Sequence, residues 1–403
     1  MIGLLALQGM TTTSCSDWLN LMPNDGVPLD EFWKTKEDVR SVVNGAYLSM
    51  TANELVQRLF LYGEWRADMI TTGRRTNSSI VSVFNGEISI DNTYLDWASF
   101  YQTINICNTI LKFAPTAQAN DPTFSEAQLK EYEGQAIAIR SLMYFYLVRT
   151  FGDVPFIREA YVNGSQQMSV AKSSEKEILA GLVADLEMVE TGNYLPGQYS
   201  STDIAQNKGR MTMWAVKALL ARVNLYKGDY DAAYGYAKDV VENGPYELIK
   251  NSDYVDSWKL EETSESIFDL ALSSTTYAGG RELWGAVVAP SEYGAVVATK
   301  DFLDLLNEDP NDVRLGLLIT DKNGTKRTIN KYPGRAGSVA VNNVRVIRLS
   351  DIYLIGAEAA LKKAAPDQTL ADDYLYKIQN RANSATVKTT ATLDLIMNER
   401  RKE

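Results

Sequence analysis

Histidine is absent from all 403 residues. With it go the usual proton shuttle near neutral pH and the commonest zinc ligand. A Ser-His-Asp triad, a Cys-His pair and an HExxH metal site are therefore excluded. Neither a GxxxxGKS/T phosphate loop nor a GxGxxG dinucleotide loop occurs. Basic residues are outnumbered, 40 Lys and Arg against 51 Asp and Glu, for a net charge of -11. Such a balance repels phosphate backbones, so nucleic acid is not an expected partner. No run reaches the ~20 apolar residues that a membrane-spanning helix needs. Nucleophilic or metal chemistry would have to rest on Asp, Glu, Lys and Tyr alone. No motif of those residues stands out, so no catalytic residue, metal or cofactor is expected.

Cysteine is nearly absent too, with Cys15 and Cys107 only. Cys107 lies within Ile104-Asn-Ile-Cys-Asn-Thr-Ile-Leu111, an apolar helical pattern that suits a buried, inert thiol. Cys15 stands apart. It follows the apolar Ile2-Gly-Leu-Leu-Ala-Leu7 and the small residues Thr11-Thr-Thr-Ser14, and it precedes the polar stretch 16–26. That order is how a lipoprotein signal ends at its lipidated cysteine. No basic residue precedes the apolar run, so a longer natural leader is expected. Residues 1–14 read as residual signal peptide and 15–29 as the tether of a lipid anchor.

What the chain does contain is an ordinary globular composition, 45% hydrophobic and 23% charged, with 22 Tyr and 7 Trp. Helical spacing of apolar residues predicts helices over 36–52, 93–113, 125–151, 174–190, 214–245, 348–363, 369–383 and 393–403. Thr35 with Asp38 forms an approximate capping box for the first of these. In 125–151, Ile137, Arg140, Ser141, Tyr144, Phe145 and Val148 repeat at helical spacing. That run closes at Phe151-Gly-Asp-Val-Pro-Phe156, where Gly152 supplies a left-handed C-terminal residue. Leu220, Ala221, Gly228, Ala233, Ala237 and Pro245 approach the spacing of the 34-residue tetratricopeptide hairpin, although Asn224 stands where that motif prefers Tyr.

Two stretches break the helical texture. Residues 62–90 are rich in Gly, Thr, Asn and Ser and read as loop with short strands. From about 251 to 345, Glu265–Ala271 and Val341–Ile347 look strand-like. Asp321-Lys-Asn-Gly324 marks a β-hairpin between 315–320 and 325–330. Asp309–Asp312 would admit an oxygen-rich calcium loop as an alternative. The final helix reaches Glu403 with no Gly, Asn or Pro stop, so its last carbonyls are expected to lack partners.

Taken together, these segments resemble the SusD/RagB family of outer-membrane nutrient-binding lipoproteins. Residues 30–50 look like its first helix and Arg140–Phe156 like its Arg-headed, Tyr/Phe-rich helix. Gly209–Tyr230 matches its repeat hairpin and Arg348–Ala359 its later helix. Asn398-Glu-Arg-Arg-Lys-Glu403 looks like the start of its final motif, which in the family continues further, so a C-terminal truncation is expected. The resemblance implies a mainly α fold, a tetratricopeptide-like stack of helical hairpins with a less regular ligand-binding subdomain containing short strands. On that reading residues 30–250 and 346–403 form the helical part of one domain and about 251–345 the ligand-binding insertion.

The resemblance also implies a non-enzymatic function: capture of an oligosaccharide outside the cell and its delivery to a TonB-dependent, SusC-like transporter. The protein would be lipid-anchored at the outer membrane, facing the exterior. Sugar binding needs aromatic platforms beside polar side chains. Residues 65–97 offer Trp65, Arg74, Arg75, Asn77, Phe84 and Trp97, and 277–293 offer Tyr277, Arg281, Trp284 and Tyr293. The candidate ligand residues are accordingly Trp284, Tyr277, Tyr293, Arg281, Asn77 and Arg74. Peptide capture by the same kind of importer stays open, as does a pure tetratricopeptide scaffold. A glycosidase would need two carboxylates flanking the bond; among 51 acidic residues some pair always suits, so their number argues for none.

The anchor is directly testable. Replacing Cys15 with Ser should move the protein out of the membrane fraction after a high-salt wash, because stable anchoring takes about two acyl chains. Retention of Cys15→Ser in that fraction would remove the lipidation assignment.

Overall fold

A computed structural model of the chain describes residues 32–51, 53–87, 89–162, 166, 169–272, 294–321, 323–334 and 342–403. In chain order its elements are α1 Lys36–Met50, α2 Asn53–Arg66, β1 Ile70–Thr72, α3 Ser78–Phe84, α4 Ala98–Asn120, α5 Glu126–Phe151, α6 Glu175–Thr191 and α7 Ile204–Gly209. There follow α8 Met213–Lys227, α9 Tyr230–Asn243, α10 Tyr254–Ser257, β2 Ser266–Leu270, β3 Val296–Ala298, α11 Lys300–Leu306, β4 Leu318–Thr320 and β5 Lys326–Ile329. The last are β6 Val344–Arg348, α12 Leu349–Lys362, α13 Gln368–Ala382 and α14 Leu393–Lys402.

Helices pack in a continuous series, α1 on α4, then α5, α6, α8, α9, α12 and α13, with α14 against α12. The fold is mainly helical, and local chemistry explains where most helices begin. Thr35 and Asp38 form the full capping box, with Thr35 N–H donating to the Asp38 carboxylate at 2.8 Å. Ser125 and Gln128 do the same for α5. Between α8 and α9, Gly228 adopts φ 86 and ψ 12, and Asp229 caps α9 by accepting from Ala232 N–H at 3.3 Å. Ala221, Ala233 and Ala237 are fully buried along that hairpin. Asn224, at the departure from the repeat pattern, turns its amide back on the Leu220 carbonyl at 3.0 Å. In α12, a Cβ on Gly356 would lie 2.8 Å from the Tyr374 ring and 3.4 Å from Ala237, so glycine there permits close approach of α9 and α13.

A buried polar network fixes the middle of the stack. Arg140 of α5 donates to Asn108 of α4 and to Asp185 of α6, both at 2.8 Å. Arg158 reaches the other oxygen of Asp185. Asn108 in turn donates to the carbonyls of Ile157 and Glu159 at 3.2 Å, and Tyr144 OH donates to the Ile157 carbonyl at 2.8 Å. Cys107 is buried, and desolvation pushes its thiol up to about 12, so it is inert at neutral pH.

Several expectations are corrected. Residues 62–90 are not loop throughout: α2 runs to Arg66 and α3 occupies Ser78–Phe84. Gly63 sits inside α2, and a mid-helix glycine weakens the sequence signal by about 1 kcal/mol of propensity. The helix foreseen over 93–113 begins at Ala98, after a 3₁₀ turn at Thr93–Leu95, and continues past Pro115 to Asn120. Gly152 has a positive φ of 71, but its ψ of -124 places it outside the left-handed helical region. Just past α14, the main-chain oxygen of Glu403 accepts from Arg348 at 2.8 Å and from Lys331.

Among the described residues three two-stranded antiparallel sheets complete the fold: β1 with β3, β2 with β6, and β4 with β5. Gly324, at φ 82, turns the expected hairpin. The calcium reading of Asp309–Asp312 is set aside. Asp309 accepts from Asn311 N–H and Asn383, and Asp312 is forked by Arg314 at 2.9 and 2.6 Å. Among the described residues no cluster of three metal-binding side chains occurs, and no helix is long and apolar enough to cross a membrane.

The β2–β6 pair carries a pH signature. Asp269 of β2 is fully buried, and desolvation raises its carboxyl to about 7 against the pull of Arg345. An unfolded aspartate titrates near ~3.9. Between about pH 4 and 7 the folded chain thus holds a proton that the unfolded chain has released, and stability from this group falls as pH rises through that window. Asp269→Asn should therefore gain in Tm relative to wild type between pH ~4 and ~8. A Tm difference that stays constant over that range would discard the assignment.

Candidate functional site

The two irregular stretches singled out in the sequence meet at one sheet. Ile70, Thr71 and Thr72 of β1 pair with Ala298, Val297 and Val296 of β3. The pairing is extended by Gly73 N–H, which donates to the Ala295 carbonyl at 2.6 Å. At the other end Thr299 donates from its N–H to Met69 O at 3.0 Å and from its hydroxyl to Asp68 O at 2.7 Å. The strands approach so closely at Gly73 that a Cβ there would lie 2.1 Å from the Gly294 carbonyl. Gly294 is the first described residue after 273–293, and Arg74 is the residue after Gly73.

Arg58, only 4% exposed, braces the neighbouring loop by donating to Thr93 O at 2.7 Å and to Asp96 O at 3.2 Å. Of the candidate ligand residues, Arg74 and Asn77 are exposed at this edge. Asn77 has a structural duty as well, since its oxygen caps α3 by accepting from Ile80 N–H at 2.8 Å and its amide donates to Tyr94 OH at 3.0 Å. Trp65 meets the Phe84 ring edge-on at 6.0 Å, and Trp97 lies 5.3 Å from Phe151, so both are engaged in packing. Tyr277, Arg281, Trp284, Tyr293 and the anchor residue Cys15 lie outside the described residues.

Beneath this edge lies a cavity of about 240 Å³, walled by β1, β3 and β6 and reached by Trp258, Lys331 and Tyr332. Burial, helped by the charge of Arg348, lowers the Lys331 ammonium to about 8, and burial raises the Glu64 carboxyl. A cleft of about 660 Å³ opens on the other side of Glu64, between α5, α8, α12 and β6. Carboxylates on its wall act as counter-charges: Asp351 meets Arg222 at 2.7 Å, and Glu358 meets Arg400 at 2.7 Å. Sequence reasoning missed both cavities. The available signal was Val344-Arg-Val-Ile-Arg348, a strand-like run interrupted by two charges that a buried strand would otherwise avoid.

Comparison with known proteins gives a consistent answer. A SusD-like family described as "Starch-binding associating with outer membrane" matches residues 17–225, and the SusD family matches residues 319–403. SusD-like protein P2 of Formosa agariphila is 26% identical over 93% of this chain and 79% of its own length. The crystal structure of a SusD superfamily protein from Bacteroides thetaiotaomicron superposes with a TM-score of 0.82 at 27% identity, over 92% of this chain and 86% of that one. Surface glycan-binding protein A from the same species, solved in complex with laminarihexaose, shares the fold with a TM-score of 0.72 at 21% identity, over 92% and 87% of the two chains.

The close approach at Gly73 makes a local test. Gly73→Val must push β1 away from β3, because the atom it would strike is backbone. Amide exchange at residues 70–73 should accelerate while the helical circular dichroism is retained. Unchanged protection at those amides would show that the pairing is not what holds this edge.

Proposed function

This chain belongs to the SusD family, and from that premise we propose that it captures an oligosaccharide at the cell surface without cleaving it and passes it to a TonB-dependent outer-membrane transporter. The observation that carries this reading is the β1–β3 pairing, which sets residues 70–73, within one polar-aromatic stretch, against residues 294–298, which follow the other in the chain. Contact residues would be Trp284, Tyr277, Tyr293 and Arg281 from the second stretch, with Arg74 and Asn77 from the first. Flat aromatic rings suit the apolar faces of sugars, and amide and guanidinium groups suit their hydroxyl edges. A surface glycan-binding protein of the same fold was solved in complex with laminarihexaose, which supports carbohydrate as the ligand class.

The remaining parts of the reading follow the same logic. Cys15 would carry the lipid that holds the protein at the outer membrane. The helical part, 30–250 with 346–403, would serve as the platform, and 251–345 as the insertion that meets the ligand. Carboxylates in the two cavities face guanidinium or ammonium partners, an arrangement for balancing charge rather than for flanking a glycosidic bond.

Purified protein lacking residues 1–15 should retain one or more glycans on an array, with peptide pools as the contrasting arm. Calorimetry with the best hit should lose about thirtyfold or more in affinity on Trp284→Ala, the usual cost of truncating a central aromatic anchor. Chromatography after long incubation should recover intact ligand. Unchanged affinity in both Trp284→Ala and Tyr277→Ala would discard the site, and shorter sugars in the eluate would discard the non-enzymatic reading.

A further inference from the structure

The 660 Å³ cleft between α5, α8, α12 and β6 has a chemistry that capture at the β1–β3 edge does not use. One wall is aromatic, formed by Phe145, Tyr146, Tyr226 and Tyr230, with Tyr226 44% exposed. Its charge runs against that of the whole chain, which is -11. Of the carboxylates at the wall, Asp351 is matched by Arg222, Glu358 by Arg400 and by Lys362 at 3.1 Å, and Glu403 by Arg348 at 3.4 Å, while burial raises the Glu64 carboxyl and disfavours its charge.

Cationic donors are left over. Among the described residues Arg149 has no carboxylate partner, and its guanidinium lies over the Phe145 and Tyr146 rings at 5.5 and 5.9 Å. Arg400 gives one nitrogen to Glu358, while its Nε and Nη2 are buried with no hydrogen-bond partner among the described residues. Burying a charged donor unpaired costs about 1–3 kcal/mol or more, and the group that best satisfies a planar guanidinium fork is a carboxylate or sulfate. The volume falls within the ~300–1,000 Å³ range typical of ligand pockets.

We propose that this cleft is a second binding site, for an acidic oligosaccharide bearing uronate carboxylates or sulfate esters. Sugar faces rest on Tyr226 and Tyr146, and acid groups pair with Arg149 and Arg400. The inference rests on the carbohydrate-binding reading above, but its residues are separate from those proposed at the β1–β3 edge.

The test is calorimetry of the purified protein at low ionic strength with an α-linked galacturonic acid tetramer, and with maltotetraose as the neutral control. Arg149 is exposed, so Arg149→Ala should fold, which circular dichroism checks. The acidic tetramer should bind, weaken about tenfold or more in Arg149→Ala, recover in part in Arg149→Lys, and weaken with added salt. Equal binding of the tetramer to wild type and Arg149→Ala overturns the proposal. So does a Tyr226→Cys thiol that a maleimide cannot label, the result if polypeptide fills the cleft. Neutral glycans bound with the acidic tetramer ignored sinks this site alone, whereas wild-type protein that takes up no glycan of any charge sinks the carbohydrate reading with it.

Discussion

Glu403 is buried among three guanidiniums, and the seating of the irregular region on the helices depends on them. Its carboxylate meets Arg314 at 2.8 Å, Arg381 at 2.5 Å and Arg348 at 3.4 Å. Those arginines are engaged in turn by Asp312, Glu399 and, through Arg381, Glu265 at 2.8 Å. Burial alone would raise the Glu403 carboxyl, but the arginine charges reverse this and hold it well below the usual carboxylate range. Such a cluster is tolerable only when complete, since removing one partner from a buried pair costs about 3–5 kcal/mol. Its members come from the strand pair β2–β6, the turn before β4, α13 and α14. Apart from the local fork of Arg314 on Asp312, the partners come from distant segments, so the cluster selects one arrangement of those parts.

A second polar network explains why the run from Arg140 to Phe156 was so readable. Arg140 needs Asn108 and Asp185, and Tyr144 needs the backbone of Ile157, which requires the chain to leave α5 at Gly152 and fold back. Each residue type in the run has a distinct physical task. A helix whose interior face carries Arg and Tyr with buried partners leaves a stronger mark on sequence than one packed by leucine alone, because fewer substitutes would serve.

Legibility elsewhere tracked the same distinction between local and distant causes. Caps and turns are written within a few residues, so Thr35 with Asp38 and Gly228 with Asp229 could be read directly, and α5 ended where Gly152 placed it. The helix α2 was obscured by Gly63, and α4 outran the boundary expected at 113, since tertiary packing on α1 and α5 outweighs local preference there. For the candidate site, the two irregular stretches 62–90 and 251–345 were visible as compositions, but not their meeting at β1 and β3, which lie more than two hundred residues apart in the chain. The cationic cleft was invisible for the same reason. Arg149, Arg222, Arg348 and Arg400 have nothing in common until the helices assemble.

The antiparallel pairing of β2 with β6 has an evolutionary consequence. Leu270 lies opposite Val344, and Ser266 opposite Arg348, so the polypeptide between the two strands leaves and re-enters the helical stack at the same place. For a loop whose ends are already clasped, doubling its length costs only about 0.6 kcal/mol of closure entropy. Insertions, deletions and exchange of intervening residues other than β3 and the Asp312–Arg314 turn are therefore cheap as far as the helices are concerned. A lineage that meets a new polymer could rewrite the rest of this stretch while the helices are inherited unchanged.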